Sequence, residues 1–186
     1  EYGRYPFHMA LKKTFETFHC DGWGITGCGA PNEQVTGEST EKWIDANTLE
    51  TRYVTHTAKG NLTSAHRSQR DEPGWTLERP IKDPIRDMPA WEITAFGGDL
   101  SRMDYSHMMK AREEVGESYL LEVYIGVPFF DFYAGSREGG FEQGIFDFSD
   151  PDLLPMLESL KARYTERIVE TARLICTNTP FESLFI

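Results

Sequence analysis

The segment Tyr119-Leu120-Leu121-Glu122-Val123-Tyr124-Ile125 carries a single charged residue and runs directly into Gly126-Val127-Pro128. Such an apolar run, ended by turn residues, is typical of a strand that is covered on both faces of a sheet. Apolar residues then recur every three or four positions over residues 150–176, which predicts a long helix, and residues 181–186 predict another strand. A strand, a helix and a strand in succession form a βαβ unit, so the sequence predicts an α/β fold with a parallel sheet.

The N-terminal part of the chain predicts the same kind of fold. Apolar residues fall three or four apart over residues 5–18, which predicts an amphipathic helix. Residues 23–26 predict a short buried strand, and residues 27–32, with two glycines and a proline, predict a loop at its carboxyl end. Loops at the carboxyl ends of strands commonly carry the chemistry of α/β proteins, so we expect functional residues here.

Residues 48–80 have a different sequence pattern, in which polar and apolar residues alternate between turn signals. Lys59-Gly60-Asn61 and Asp71-Glu72-Pro73-Gly74 supply two turns, which predicts an antiparallel β-meander inserted into the α/β fold. Asp83 and Pro84 then predict the cap and first residue of a helix. A second helix is predicted from Asp99 or Ser101 to residue 114.

Composition restricts the class of protein. The chain has 186 residues, of which 39% are hydrophobic and 13% aromatic, so it can bury a core and is not a disordered polymer. Its 19 basic and 30 acidic side chains give a net charge of −11, which disfavours nucleic acid and anionic membrane surfaces as partners. Without a signal peptide at residues 1–15, and with an odd count of three cysteines, we expect a soluble, cytoplasmic protein.

Several motifs, in this order, carry a resemblance to a known family. They are Asp21-Gly22-Trp23-Gly24-Ile25, then Pro80-Ile81-Lys82-Asp83-Pro84, then Ile125 to Pro128 followed by Tyr133-Ala134-Gly135, and finally Asp150-Pro151. Together they resemble uroporphyrinogen decarboxylase-like proteins, a superfamily that also contains corrinoid-dependent methyltransferases.

The resemblance spans nearly all 186 residues but only the N-terminal half of the family's barrel. It implies an α/β fold, a partial TIM (β/α)8 barrel, with residues 1–186 as one domain and residues 48–80 as the inserted meander. Because such barrels typically need about 250 residues, we expect the chain to be a fragment of a longer protein. The loops at residues 27–32, at residues 126–135 and just past Ile186 would then face one mouth of the barrel.

The resemblance also implies site residues. In the decarboxylases a Gly-x-Pro segment leads to a tyrosine that faces the tetrapyrrole, and Tyr133 after Pro128 has that spacing, which makes it the candidate catalytic residue. Its hydroxyl would orient a substrate carboxylate or pyrrole N–H; alternatively, its ring packs with neighbouring phenylalanines and its hydroxyl faces water. The other candidates would bind substrate; they are Trp23, Gly27, Cys28, Pro128, Asp131 and Arg137.

Arg137 has two interpretations. It would clamp a substrate carboxylate, or it is a solvated arginine beside Glu138.

Departures from the decarboxylase pattern decide between activities. In the decarboxylases, the arginines of an N-terminal segment bind the propionate groups of the substrate, and Gly3-Arg4-Tyr5 matches only three residues of that segment. Where the decarboxylases place an aspartate that stabilises positive charge on a pyrrole, this chain has Gly27-Cys28-Gly29. The sequence therefore favours methyl transfer involving a corrinoid or similar methyl carrier; the alternatives are a tetrapyrrole decarboxylase and a non-catalytic binding module that uses the meander and residues 129–133 as its contact surface.

The methyltransferase branch uses zinc, whose ligands lie mostly in the second half of the barrel. We therefore expect no metal ligands within this chain, and zinc only through residues beyond it. His19, Cys20 and Cys28 are an alternative ligand set by residue type, although Cys20 fits better as a small packed side chain. Expected partners are a small-molecule substrate, either a tetrapyrrole or a corrinoid-bound methyl group, a corrinoid protein, and further copies of the chain in a homo-oligomer.

Overall fold

A computed structural model describes residues 5–117 and 119–186. The chain divides into two compact units: the first comprises the residues up to Pro31, Asp99–Val127 and Thr165–Ile186, and the second comprises Asn32–Gly98 and Pro128–Tyr164. Gly3 and Arg4, with the short match to the decarboxylases, lie outside the described residues.

In chain order the elements are α1 (Phe7–Phe18), β1 (Gly22–Thr26), β2 (Thr36–Trp43), β3 (Thr48–Thr57), β4 (Gly60–Gln69), β5 (Trp75–Glu78), α2 (Pro84–Phe96), a short 3-10 helix (Leu100–Arg102), α3 (Ser106–Val115), β6 (Tyr119–Tyr124), α4 (Phe129–Ser136), α5 (Gly140–Ser149), α6 (Leu154–Asn178) and β7 (Leu184–Phe185).

The first unit contains a parallel sheet in the order β1, β6, β7. Helices α1 and α3 pack against one face of this sheet. The buried residues of β6 alternate with exposed ones, and the buried set joins residues of α3 and of the C-terminal part of α6 in one core. Its members are Met108, Ala111, Val115, Tyr119, Leu121, Val123, Ile175 and Phe181. The parallel pairing of β6 with β7 confirms the predicted βαβ unit.

Tyr119 fixes how β1 and β6 align. Its hydroxyl donates to the Trp23 carbonyl oxygen at 2.7 Å, and its ring lies against two glycines of β1. A Cβ at Gly22 would lie 2.3 Å from a Tyr119 ring carbon, and one at Gly24 would lie 2.4 Å from the hydroxyl oxygen. Glycine is required at these positions because the ring of the neighbouring strand occupies the space of a side chain.

The second unit contains an antiparallel sheet in the order β2, β3, β4, β5. The predicted meander over residues 48–80 is confirmed by β3, β4 and β5, while β2 was not predicted because every one of its residues is exposed and it lacks alternation. Helix α2 packs on β4 and β3. The Asp83 side chain accepts from the amides of Ile85 and Arg86, and Pro84 is the first helical residue, as predicted.

Two predicted elements differ in detail. Residues 126–135 were expected to form a loop, but α4 begins at Phe129, because Phe129, Tyr133 and Ala134 recur at helical spacing and are buried. The single polar helix predicted up to residue 114 is interrupted: Asp99 caps the short 3-10 helix, and α3 follows separately.

The chain therefore has a mixed α/β fold, with a parallel sheet and a separate antiparallel sheet. Over residues 5–117 and 119–186, no helix is both long and apolar enough to cross a membrane.

Replacing Gly22 by alanine tests the contact with Tyr119. The added methyl group must displace a buried ring, so we expect Gly22→Ala to lower the free energy of unfolding by about 1 to 3 kcal/mol. Gly29→Ala is the matched control, because a Cβ there meets nothing within 4 Å. Denaturant unfolding measures both, and equal midpoints for the two variants would contradict the prediction.

Candidate functional site

The face of the parallel sheet opposite α1 and α3 is exposed. Trp23, Leu120, Tyr124 and Phe185 retain 42%, 54%, 44% and 38% of their accessible surface. Parallel sheets are ordinarily covered on both faces, so aromatic exposure of this kind indicates a surface for a ligand or for further polypeptide. We call this surface the open face and define it by Trp23, Leu120, Glu122, Tyr124, Ser183 and Phe185.

Glu122 lies at the centre of the open face and connects all three strands. The Trp23 indole Nε1 donates to its Oε2 at 2.8 Å, and the Ser183 hydroxyl, just before β7, donates to its Oε1 at 2.5 Å. These two hydrogen bonds outweigh partial burial and lower the pKa of Glu122. The open face therefore carries a carboxylate that is anionic at neutral pH.

Aromatic rings flank this carboxylate. Tyr124 follows two residues after Glu122 and therefore lies on the same face of β6; Tyr124 is exposed and Glu122 is half-buried. The Tyr124 ring lies 6.3 Å from the Phe185 ring, centroid to centroid. Trp23 is on the other neighbouring strand, hydrogen-bonded to Glu122. The combination of one carboxylate with three aromatic rings is suited to a ligand that is both cationic and apolar.

A cavity of about 340 Å³ adjoins the open face at the carboxyl ends of β1 and β6. Tyr124 belongs to both, and the buried Thr26 hydroxyl in this cavity has no hydrogen-bond partner among the described residues. Its lining residues are Phe7, His8, Ile25, Thr26, Gly27, His107 and Tyr124. An unpaired buried hydroxyl in a cavity is available to a ligand.

A buried histidine and a carboxylate form a pair beside Thr26. His8 Nε2 lies 2.5 Å from Glu114 Oε2, and the His8 and His107 rings meet edge to face at 6.3 Å. The hydrogen bond with His8 lowers the pKa of Glu114 against the effect of burial, and Lys110 adds to the lowering. A carboxylate that orients an imidazole is an arrangement that can accept and return a proton.

The structure places three predicted site residues in the first unit. Trp23 is on the open face, and Gly27 lines the cavity at the carboxyl end of β1. Cys28 follows it, with its Sγ 3.4 Å from Met103 Sδ, and burial raises the pKa of its thiol. Cys28 is therefore a protonated thiol packed against a thioether.

The other four predicted site residues belong to the second unit. Pro128 precedes α4, and Asp131 lies in its first turn. Tyr133 is fully buried, and its hydroxyl donates to Asp147 Oδ2 at 2.6 Å. The idea that this hydroxyl faces water is therefore wrong. A role for Tyr133 in ligand contact stays a prediction, but its hydrogen is committed to Asp147.

Arg137 is buried as well, so its interpretation as a solvated arginine beside Glu138 is wrong. Its Nε donates to Asp147 Oδ2 at 2.6 Å, and its Nη1 donates to the Lys82 carbonyl oxygen at 2.7 Å. Gln143 donates to Asp147 Oδ1 at 3.0 Å. Burial opposes ionisation of Asp147, but the hydrogen bonds from Arg137, Tyr133 and Gln143 outweigh it and lower its pKa.

The proposed His and Cys ligand set is not assembled. Cys20 is exposed, which contradicts the expectation that it packs at the helix end, and His19 ends α1 in a left-handed conformation. Within the described part of the chain, no three His, Cys, Asp or Glu side chains come together as a possible metal site. Zinc held by residues beyond this chain stays a prediction.

The sequence analysis missed Glu122, Ser183, His8 and Glu114. For Glu122 a signal existed, because it is the single charge in an otherwise apolar strand. The pairing of His8 with Glu114 joins residues 106 positions apart and leaves no local pattern.

A second, larger cavity lies at the opposite, amino ends of the strands. It measures about 1170 Å³ and is bordered by Gly22, Tyr119 and Ser183 as well as by charged residues of α3. We assign the candidate site to the other edge, because parallel α/β sheets place their ligands at the carboxyl ends of the strands. No protein-family model, curated protein or solved structure matches this chain.

Removing the Tyr133 hydroxyl tests whether it supports the fold. Tyr133→Phe leaves Asp147 with one donor fewer in a buried position, so we expect the free energy of unfolding to fall by about 1.5 to 3 kcal/mol. Tyr124→Phe makes the same chemical change on an exposed ring and serves as the control. Thermal or denaturant unfolding reads out both, and unchanged stability of Tyr133→Phe would refute a structural role for the hydroxyl.

Proposed function

We propose that this chain contributes the N-terminal part of a uroporphyrinogen decarboxylase-like (β/α)8 barrel enzyme. In this proposal β1, β6 and β7 are the first three barrel strands and the open face is part of the inner wall. The reaction takes place at the carboxyl ends of these strands, where the cavity with His8 and Thr26 lies. The activity we propose is methyl transfer involving a corrinoid or similar methyl carrier.

The observation that carries the proposal is the strand order. The three strands of the parallel sheet occur in the same order in the sheet and along the chain. The connection from β1 to β6 contains the antiparallel sheet as well as α2 and α3, and the connection from β6 to β7 is helical. This is the order of a (β/α)8 barrel, and the inner wall of such a barrel is lined by alternate residues of each strand. Tyr119, Leu121 and Val123 pack outward against helices, which leaves Leu120, Glu122 and Tyr124 for the inner wall.

The residues at the end of β1 favour methyl transfer over decarboxylation. Gly27-Cys28-Gly29 brings no carboxylate to this position, so a positive charge developing on a pyrrole has no electrostatic partner there. His8 with Glu114 offers a proton acceptor near Thr26. Any zinc would be held by residues outside this chain.

One observation favours tetrapyrrole decarboxylation as the second candidate. Glu122 accepts a hydrogen bond from the Trp23 indole N–H, which is chemically close to a pyrrole N–H. If the indole moved aside, Glu122 would supply the carboxylate that the loop after β1 lacks.

Two assays on the complete gene product test this assignment. The first assay contains zinc, a thiol acceptor and methylcobalamin as the methyl carrier. We expect the protein to remove the methyl group from methylcobalamin, which is monitored by absorbance, and to form an equal amount of methylated thiol. With uroporphyrinogen we expect no coproporphyrinogen at an enzymatic rate. Robust coproporphyrinogen formation would establish the second candidate, and inactivity in both assays would favour the binding module.

A further inference from the structure

We propose that the open face binds a methylated ammonium cation, seated over the Glu122 carboxylate between the Trp23 ring and the Tyr124–Phe185 pair. The role of this cation as the methyl donor rests on the proposed function. Its binding depends only on the described residues.

Charge is the first argument. Glu122 receives hydrogen bonds from an indole and a hydroxyl, both neutral groups, so its negative charge is not cancelled. Among the described residues Glu122 forms no ion pair, whereas Glu114 in the same unit is paired with His8 and Lys110. A carboxylate that is anionic and lacks a counter-ion attracts a cation to this face.

The acceptor positions of Glu122 that are already occupied restrict which kind of cation can bind. Each Glu122 oxygen already accepts one hydrogen bond, which leaves the carboxylate about two of its roughly four acceptor positions. A primary ammonium or a guanidinium carries more N–H donors than Glu122 has acceptor positions left, so this carboxylate alone does not replace all of its water. A quaternary ammonium has no N–H group, so it loses no hydrogen bond when it binds at this face.

The aromatic rings supply the remaining recognition. Cations are attracted to the faces of Trp, Tyr and Phe, and quaternary ammonium groups are the ligands that aromatic cages select. Trp23 lies on β1, and Tyr124 and Phe185 lie on β6 and β7, so rings approach Glu122 from both neighbouring strands. Their exposure leaves their surfaces accessible. Methyl groups on the cation would contact these rings and bury apolar surface.

A methylated ammonium also suits the proposed chemistry. A carbon–nitrogen bond to a positively charged nitrogen breaks with both electrons returning to nitrogen, and the leaving amine is neutral. The methyl group, with its positive charge, passes to the demethylated carrier, which supplies the electron pair for the new bond. The methylated carrier is then the methyl donor to the thiol in the assay above. The leaving amine needs no proton in that step.

The test uses choline and its neutral isostere 3,3-dimethyl-1-butanol as probes, titrated into the complete gene product by calorimetry. We expect choline to bind at least about fivefold more tightly than the neutral isostere, since a single unit charge at contact distance contributes that much even in water. Glu122→Gln should reduce this preference to the part that the aromatic rings contribute. Trp23→Phe should weaken choline binding, whereas Trp43→Phe, an exposed tryptophan of β2, should not change it.

Phe185→Leu provides a second variant if Glu122→Gln does not fold, because Phe185 is exposed and its loss removes an aromatic ring without removing a hydrogen bond. It should weaken choline more than the neutral isostere. Equal affinity for the two probes, or choline affinity unchanged in the variants that fold, overturns the inference even if methyl transfer is observed. Charge-dependent choline binding supports it even if the methyl-transfer assay fails, in which case only the proposed function is lost.

Discussion

The placement of the Tyr119 ring against β1 is the constraint on which the candidate site depends. Because the ring fills the space beside Gly22 and Gly24, β1 pairs with β6 in one register, with Trp23 opposite Leu120. That register brings the Trp23 indole within hydrogen-bonding distance of Glu122. A shift of β1 by one residue would turn Trp23 away from the open face and into the core. The chemistry of the open face is thus set from the opposite, buried side of the sheet.

Two carboxylates of the chain show how similar local chemistry leads to different roles. Asp147 is buried and accepts hydrogen bonds from a cation, a phenol and an amide, so its charge is cancelled and its contacts hold α4 and α5 together. Arg137 extends this network to the Lys82 carbonyl oxygen, just before α2. Glu122 accepts from two neutral donors on an exposed face, so its charge is retained. A satisfied buried charge stabilises one conformation, while a retained surface charge remains available for a ligand.

Sequence patterns predicted the elements whose signal is local. The strand at β6, the long helix, the meander and the Asp83 cap follow from periodicity and turn residues, and each is present. Strand β2 was missed because it is polar throughout, and α4 was missed because its phenylalanines had been interpreted as a loop surface. The partners of Arg137 and Tyr133 could not be predicted, because the acidic residue that binds both, Asp147, is one of many in the chain. Contacts between residues distant in sequence, such as His8 with Glu114, leave no trace in spacing.

The alternation of buried and exposed residues along β6 affects how the protein can evolve. Tyr119, Leu121 and Val123 are part of the packed interior, while Leu120 and Tyr124 are exposed. Substitutions at the second set can therefore accumulate with little loss of folding free energy and can alter which small molecules the surface accepts. Alternate residues of this one strand therefore determine either the stability of the fold or the choice of ligand. Diversification of ligand choice among descendants of such a gene would be concentrated at every second position of this strand.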